Sequence, residues 1–196
     1  MKKIHLSVVS YLPKDLTREA KKMTNILSEK FETYTSKDKW DPHLTVGSGF
    51  YVPENKLNEL FRDLENLLDK FSKFKIKIKG IDSMTDFTPK FAQYPYVIYL
   101  KALSNDKLNA LFKTLESYKK FRKGGYMITK YIQHITLAYD DLSRENFKRS
   151  LKFLKDINYD LSFEFYIDNV CLVVYSKEKD KNVILKKFKL KKNHKT

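Results

Sequence analysis

The chain has a single cysteine, Cys171, among its 196 residues. That excludes an intramolecular disulfide and a cysteine-based zinc centre. Long apolar runs are also missing: stretches such as Tyr96 to Leu100 extend for about five residues, where roughly 20 are needed to span a bilayer. Met1 to Pro13 opens with Lys-Lys, but its apolar part is interrupted by His5 and Ser7 and has no small-residue cleavage site. It predicts a first strand rather than a signal peptide. Acidic residues are scarce, 24 against 39 Lys+Arg, which leaves a formal charge of +15. With 42% hydrophobic and 14% aromatic residues the chain can bury a core, so wholesale disorder is excluded. The expectation is a soluble, cytoplasmic protein with no membrane association, whose basic surface favours an anionic partner; a monomer is expected, although nothing in the sequence reads out the oligomeric state.

Periodicity orders the rest. Ile4, Leu6 and Val8 alternate with His5, Ser7 and Val9, and Pro13 ends this strand. Leu16 to Phe31 has helical spacing, with Asp15 or Thr17 available as cap, and a polar loop follows from Glu32 to Asp41. His43 to Val46 is a short β-prone run closed by Gly47 and Gly49. A helix from Leu57 to Phe71 comes next, then the alternating strand Phe74 to Ile81 with one wet, basic face. Asp82 to Tyr94 reads as a loop carrying Phe87, Phe91 and Tyr94. The pattern then restarts: strand Tyr96 to Ala102, a helix capped by Ser104 or Asn105, a loop from Tyr118 to Lys130, strand His134 to Leu137, a helix from Ser143 to Leu154, and strands at 161–167, 170–175 and 183–190.

Both halves run strand, helix, loop, His-apolar-Thr-apolar strand, helix, strand, and His43 and His134 stand 91 residues apart. The expected architecture is α+β and bilobal. It has two pseudo-two-fold-related lobes of antiparallel sheet, about 1–94 and 95–190, helices outside, and a basic tail at 191–196, all within one domain.

A strand has a side-chain period of two, so His43 projects with Thr45, and His134 with Thr136. The alternate residues, Leu44 with Val46 and Ile135 with Leu137, face a core. A two-fold axis between the lobes would bring the two pairs together across a groove. Two hydroxyls could then donate to a phosphate's non-bridging oxygens while imidazoles flank the phosphorus. By composition a histidine starts such a tetrad with a chance of roughly 1%, and two of four histidines do so on the order of 0.06% of the time. A zinc site on the same two histidines lacks further ligands at metal spacing. His5 is read as structural or as a groove neighbour, and Asp41, Asp140 and Asp141 as turn or cap residues.

The stretches Asp41-Pro42-His43-Leu44-Thr45-Val46 and Gln133-His134-Ile135-Thr136-Leu137-Ala138-Tyr139 resemble the paired His-x-Thr/Ser motifs of the 2H phosphoesterase superfamily. That superfamily includes 2'-5' RNA ligase-like proteins and RNA 2',3'-cyclic phosphodiesterases. The resemblance implies a bilobal fold whose motif strands line a central cleft, and metal- and cofactor-independent chemistry on phosphodiesters. It carries over His43, Thr45, His134 and Thr136 as the catalytic set. Some relatives have an arginine shortly before the second motif, where this chain has Lys130. An imidazole titrating near 6.5 suits both proton transfers, and we assign His134 as base and His43 as acid.

Between Lys119 and Gln133 there are five cations and no acids, with Phe121, Tyr126 and Tyr131 interleaved and Gly124-Gly125 as a deformable point. This arm nominates Lys130, Arg122, Lys123 and Tyr126, together with Tyr139, as substrate-binding residues for RNA or an oligonucleotide. The lysine-rich tail, with His194, reads as a solvated terminus. Three functions fit: a phosphodiesterase on 2',3'-cyclic phosphate ends or 2'-5' linkages with 2'-5' ligation as its reverse, a non-catalytic RNA-binding module, or a hydrolase of small cyclic nucleotides, cyclic dinucleotides or nucleotide-linked metabolites.

Overall fold

The computed structural model describes residues 2–86, 92–118, 131–159 and 161–192. Eight strands and five α-helices follow in the order β1 (Lys3–Tyr11), α1 (Lys14–Phe31), α2 (Thr35–Lys39), β2 (His43–Pro53), α3 (Leu57–Leu68), β3 (Phe74–Met84), β4 (Tyr94–Ala102), α4 (Asp106–Ser117), β5 (His134–Asp140), α5 (Arg144–Asp156), β6 (Phe163–Ile167), β7 (Asn169–Ser176) and β8 (Lys181–Lys189), with a 3-10 turn at Glu54–Lys56 before α3. None of the described helices is long and apolar enough to cross a membrane.

The strands form one antiparallel sheet in the order β6-β3-β4-β5-β2-β1-β7-β8. The α+β class expected from the pattern is the one observed. The halves are interleaved, however. β3 pairs with β4 and β6, while β7 and β8 return to β1. Four strands lie on each side of the β2–β5 seam, and β1-helix-β2 has its counterpart in β4-helix-β5 across it.

The long helices cover one face of this sheet because each has one apolar stripe. Ala20, Met23, Leu27 and Phe31 of α1, Leu60, Leu64 and Leu68 of α3, and Leu108, Leu111 and Leu115 of α4 recur at three- and four-residue intervals. They join Leu44, Val46, Ile76, Ile78, Ile98, Leu100, Ile135 and Leu137 of the sheet in a single core cluster. Asn105 caps α4 by accepting from the Leu108 N–H (3.0 Å), and Ser143 caps α5 by accepting from the Asn146 N–H (3.2 Å). α1 starts directly after Pro13 without a side-chain cap, so neither Asp15 nor Thr17 serves.

Local expectations need correction in four places. Residues 35–39 form a short helix within the expected loop. α3 stops at Leu68 rather than Phe71, and β3 runs on to Met84. β2 does not close at Gly47 and Gly49 but continues to Pro53. The two glycines belong inside it: a Cβ on Gly47 would stand 3.3 Å from Val8 Cβ and 3.4 Å from Leu115 Cβ, and one on Gly49 would stand 2.8 Å from His5 Nε2. They permit close approach of α4 and β1 rather than a turn.

Candidate active site

The two motifs occupy neighbouring strands at the middle of the sheet, on the face that the long helices leave open. Leu44 and Ile135 face each other in the β2–β5 ladder, and both are fully buried on the helix side. Val46 and Leu137 are likewise fully buried. The alternation therefore turns His43, Thr45, His134 and Thr136, all half-buried, to the other face. His43 and Thr45 flank Leu44, and His134 and Thr136 flank Ile135, so all four motif side chains lie around this one bridge. The two imidazoles are close enough for His134 to act electrostatically on His43.

Each imidazole is held in the same way. His43 Nδ1–H donates to the carbonyl of Asp41 (2.8 Å), and His134 Nδ1–H donates to the carbonyl of Ile132 (2.7 Å), two residues back in both cases. A carbonyl can only accept, so Nδ1 carries the proton and Nε2 is left with a lone pair. Burial pushes the His43 imidazole down to about 4, and the nearby His134 lowers it further, while the Asp41 carbonyl opposes the shift. Burial also lowers His134, against the pull of the Ile132 carbonyl. Both rings are neutral at pH 7.

This depression has a consequence for stability. Between pH 6.5 and about 4 the unfolded chain binds a proton at residue 43 that the folded chain does not, so stability falls as pH drops through that window. Thermal unfolding of the free protein is expected to show this decline, and His43→Asn to flatten it. An unchanged slope in the variant would mean that the ring is not desolvated.

Aromatic side chains surround the motif residues. Trp40 lies 4.6 Å from the His43 ring at 36°, and Tyr11 meets that ring from 6.1 Å. Tyr99 stands 5.0 Å from His134. Lys101 lies opposite His134 in the β4–β5 ladder, with Nζ 2.9 Å from Asp82. No motif or periodicity in the sequence singles out Tyr11, Tyr99 or Lys101, and Trp40 stands out only by its place. The lone tryptophan directly before Asp41-Pro42-His43 was the one local signal.

Of the expected substrate-binding residues, Arg122, Lys123, Tyr126 and Lys130 lie outside the described residues, as do Phe87, Phe91 and His194. Tyr139 is half-buried, and its hydroxyl is hydrogen-bonded to Trp40, while burial pushes its phenol up to about 12. Tyr131, at the end of the basic arm, is turned inward instead of being free to stack a base. It stacks on Phe112 at 3.9 Å, and its hydroxyl donates to the Thr45 carbonyl (2.7 Å). His5 contacts Tyr51 at 5.0 Å, and Tyr94 opens β4 opposite Asp140. Asp141 acts as a cap, though of the distant helix α2, and the Asp140 carboxylate accepts from the Gln93 N–H (2.7 Å).

The profile of the 2'-5' RNA ligase superfamily matches residues 12–179. The chain belongs to that superfamily. Among solved structures it is similar to the TT0787 protein of Thermus thermophilus, at 16% identity and a TM-score of 0.63, covering 97% of this chain and 100% of that one. It is also similar to E. coli LigT complexed with 3'-AMP, at 16% identity and a TM-score of 0.59, covering 96% and 99%. A phosphoesterase structure aligns at 15% identity and a TM-score of 0.56, covering 97% and 100%. These likenesses are of fold. Compared by sequence with curated proteins, the chain matches none at a significant level.

Proposed function

We propose that this member of the 2'-5' RNA ligase superfamily is a metal-independent phosphodiesterase acting on 2',3'-cyclic phosphate ends of RNA or on 2'-5' linked oligonucleotides, with 2'-5' ligation as the reverse reaction. The observation that carries the reading is the pair of imidazoles flanking one β2–β5 bridge, each with Nδ1–H bonded to the carbonyl two residues back and so with the Nε2 lone pair available. Phosphodiester hydrolysis needs one group to take a proton and another to give one. In the opening of a 2',3'-cyclic phosphate, water attacks phosphorus and its proton passes to one Nε2. The P–O bond to the ribose breaks, and the departing oxygen takes a proton from the other imidazole, leaving a phosphomonoester. His134 serves as base and His43 as acid in hydrolysis, and they exchange roles in ligation.

Because both imidazoles are neutral at pH 7, the acid is charged only when an anion is present, and a bound phosphate supplies that stabilisation. Thr45 and Thr136 donate to its non-bridging oxygens, and Lys101 adds a cation beside His134. The arm at Lys119–Lys130, with Arg122, Lys123, Tyr126 and Lys130, would contact the RNA backbone further along, and Tyr139 borders the site through Trp40.

Purified protein incubated in EDTA with 2',3'-cyclic nucleotides, 2'-5' oligoadenylate and cyclic dinucleotides tests the reading. Ring opening or 2'-5' cleavage supports it. Turnover of cyclic dinucleotides alone, activity abolished by EDTA, or salt-dependent RNA binding without any product would overturn it.

A further inference from the structure

We propose that Trp40 is a positioning residue for the His43 ring, and that the second half of the chain fixes Trp40 through Tyr139 and Asp141. The inference deepens the phosphodiesterase reading and rests on it for the catalytic consequence alone.

Trp40 directly follows α2, a five-residue polar helix, Thr-Ser-Lys-Asp-Lys. A helix of this length does not hold itself together in water, so its position has to come from other elements. At its start, the Asp141 carboxylate at the end of β5 accepts three hydrogen bonds, from the Thr33 hydroxyl (2.7 Å) and from the Tyr34 (2.6 Å) and Thr35 (2.9 Å) N–H groups. At its end, Lys39 pairs with Asp180, and the Lys39 carbonyl accepts from Asn182 Nδ2 (2.9 Å), both partners lying at the β7–β8 turn. The helix is thus pinned at both ends. The Trp40 side chain packs on a small apolar patch of Val9, Cys171 and Val173, away from the main core. Its indole is hydrogen-bonded to the Tyr139 hydroxyl.

The two restraints on His43 are different in kind. The bond from Nδ1–H to Asp41 fixes the tautomer but leaves the ring free to rock about that bond. The indole face 4.6 Å away restricts the rocking and shields one side of the ring from water. His134 has the same Nδ1 bond and meets Tyr99 at 5.0 Å and 57°, a steeper tilt than the 36° of Trp40 against His43. Among the described residues the ring contacts of the two histidines therefore differ, although the motifs repeat. The other titratable groups near His43 are Tyr11 on β1, His134 on β5 and Asp41, whose carboxylate is paired with Lys21.

The test is an NMR titration of the histidine ring signals of the full chain, with kcat and KM measured alongside, for Trp40→Ala, Trp40→Phe and Asp141→Ala. In Trp40→Ala the His43 pKa is expected to rise toward its ordinary value while His134 stays in place. The kcat is expected to fall about 10- to 100-fold with KM nearly unchanged. Trp40→Phe keeps a ring face and restores most of kcat, and Asp141→Ala shifts His43 in the same direction as Trp40→Ala. An unmoved His43 titration in Trp40→Ala overturns the proposal, and so does an equal shift of both histidines. If Trp40→Ala does not fold, Trp40→Phe and Asp141→Ala are judged by the same two titrations. Because the titration needs no substrate, a failure of positioning is distinguishable from a failure of the phosphodiesterase reading.

Discussion

Alanine at His43, or at His134, is expected to lower turnover of a 2',3'-cyclic phosphate or 2'-5' linked substrate by about 10²–10⁴-fold, the usual worth of a positioned acid or base. The reason lies in the division of labour. With one imidazole gone, the other can still take a proton or give one, but not both within a single displacement. The attack or the departure then falls to solvent. The double variant is expected to be little worse than either single one, because groups acting as a unit lose most of their effect together. KM should change less than kcat, since under the proposed mechanism Thr45 and Thr136 would still donate to the phosphate. Steady-state kinetics on the three proteins decides it. Full rate in either single variant, or two losses that simply multiply, would break the paired-imidazole mechanism.

Much of the surrounding scaffold is legible in the sequence, and the parts that are not have physical reasons. Alternation around His43 and His134 identifies which side chains share a face, because a period of two leaves no freedom once Leu44 and Ile135 are buried. Alternation says nothing about neighbours. Phe74 to Ile78 announces a strand with a lysine face, and Lys75 and Lys77 do pair with Glu164 across the β3–β6 ladder. No residue in that stretch signals that β3 joins β4 instead of the strands that precede it. The return of β7 to β1 is equally silent, since Val170 to Val173 is apolar on both faces and would suit any interior position.

Glycine misled for a related reason. Gly47 and Gly49 read locally as strand breakers, whereas their role is to admit Leu115, Val8 and His5 at short range. Helix α2 escaped notice because it is polar throughout and its stabilising partner, Asp141, is 106 residues from Thr35. Trp40 shares that fate. Its importance depends on Tyr139 and on the position of α2, neither of which can be inferred from the letters around it. The shared face of the four motif residues is legible because strand geometry is local. Their supporting side chains are not, because Tyr11, Trp40, Tyr99 and Lys101 reach the motifs through strand pairing and through the placement of α2, which no local pattern announces.

The β2–β5 seam is where the second large effect is expected. β1 and β2 share eight register pairs, whereas β2 and β5 share one, Leu44 with Ile135. Few backbone hydrogen bonds cross the seam, so side-chain packing beneath it carries the join. Both residues are fully buried in the main core, and truncating either to alanine removes apolar area and leaves a cavity. Such changes cost about 2–5 kcal/mol, a large share of the roughly 5–15 kcal/mol that holds a domain folded. Urea unfolding of Leu44→Ala and Ile135→Ala is expected to show losses in that range. The double variant should depart from additivity because the two positions face each other. Lys77→Ala, on the exposed face of β3, serves as the contrast and should stay within about 0.5 kcal/mol of the parent. Catalysis should fall in the seam variants by more than the unfolded fraction accounts for, since His43 and His134 directly adjoin this pair and a loosened seam moves them apart. Seam losses below about 1 kcal/mol, or rates that track the folded fraction alone, would show that the join is held elsewhere.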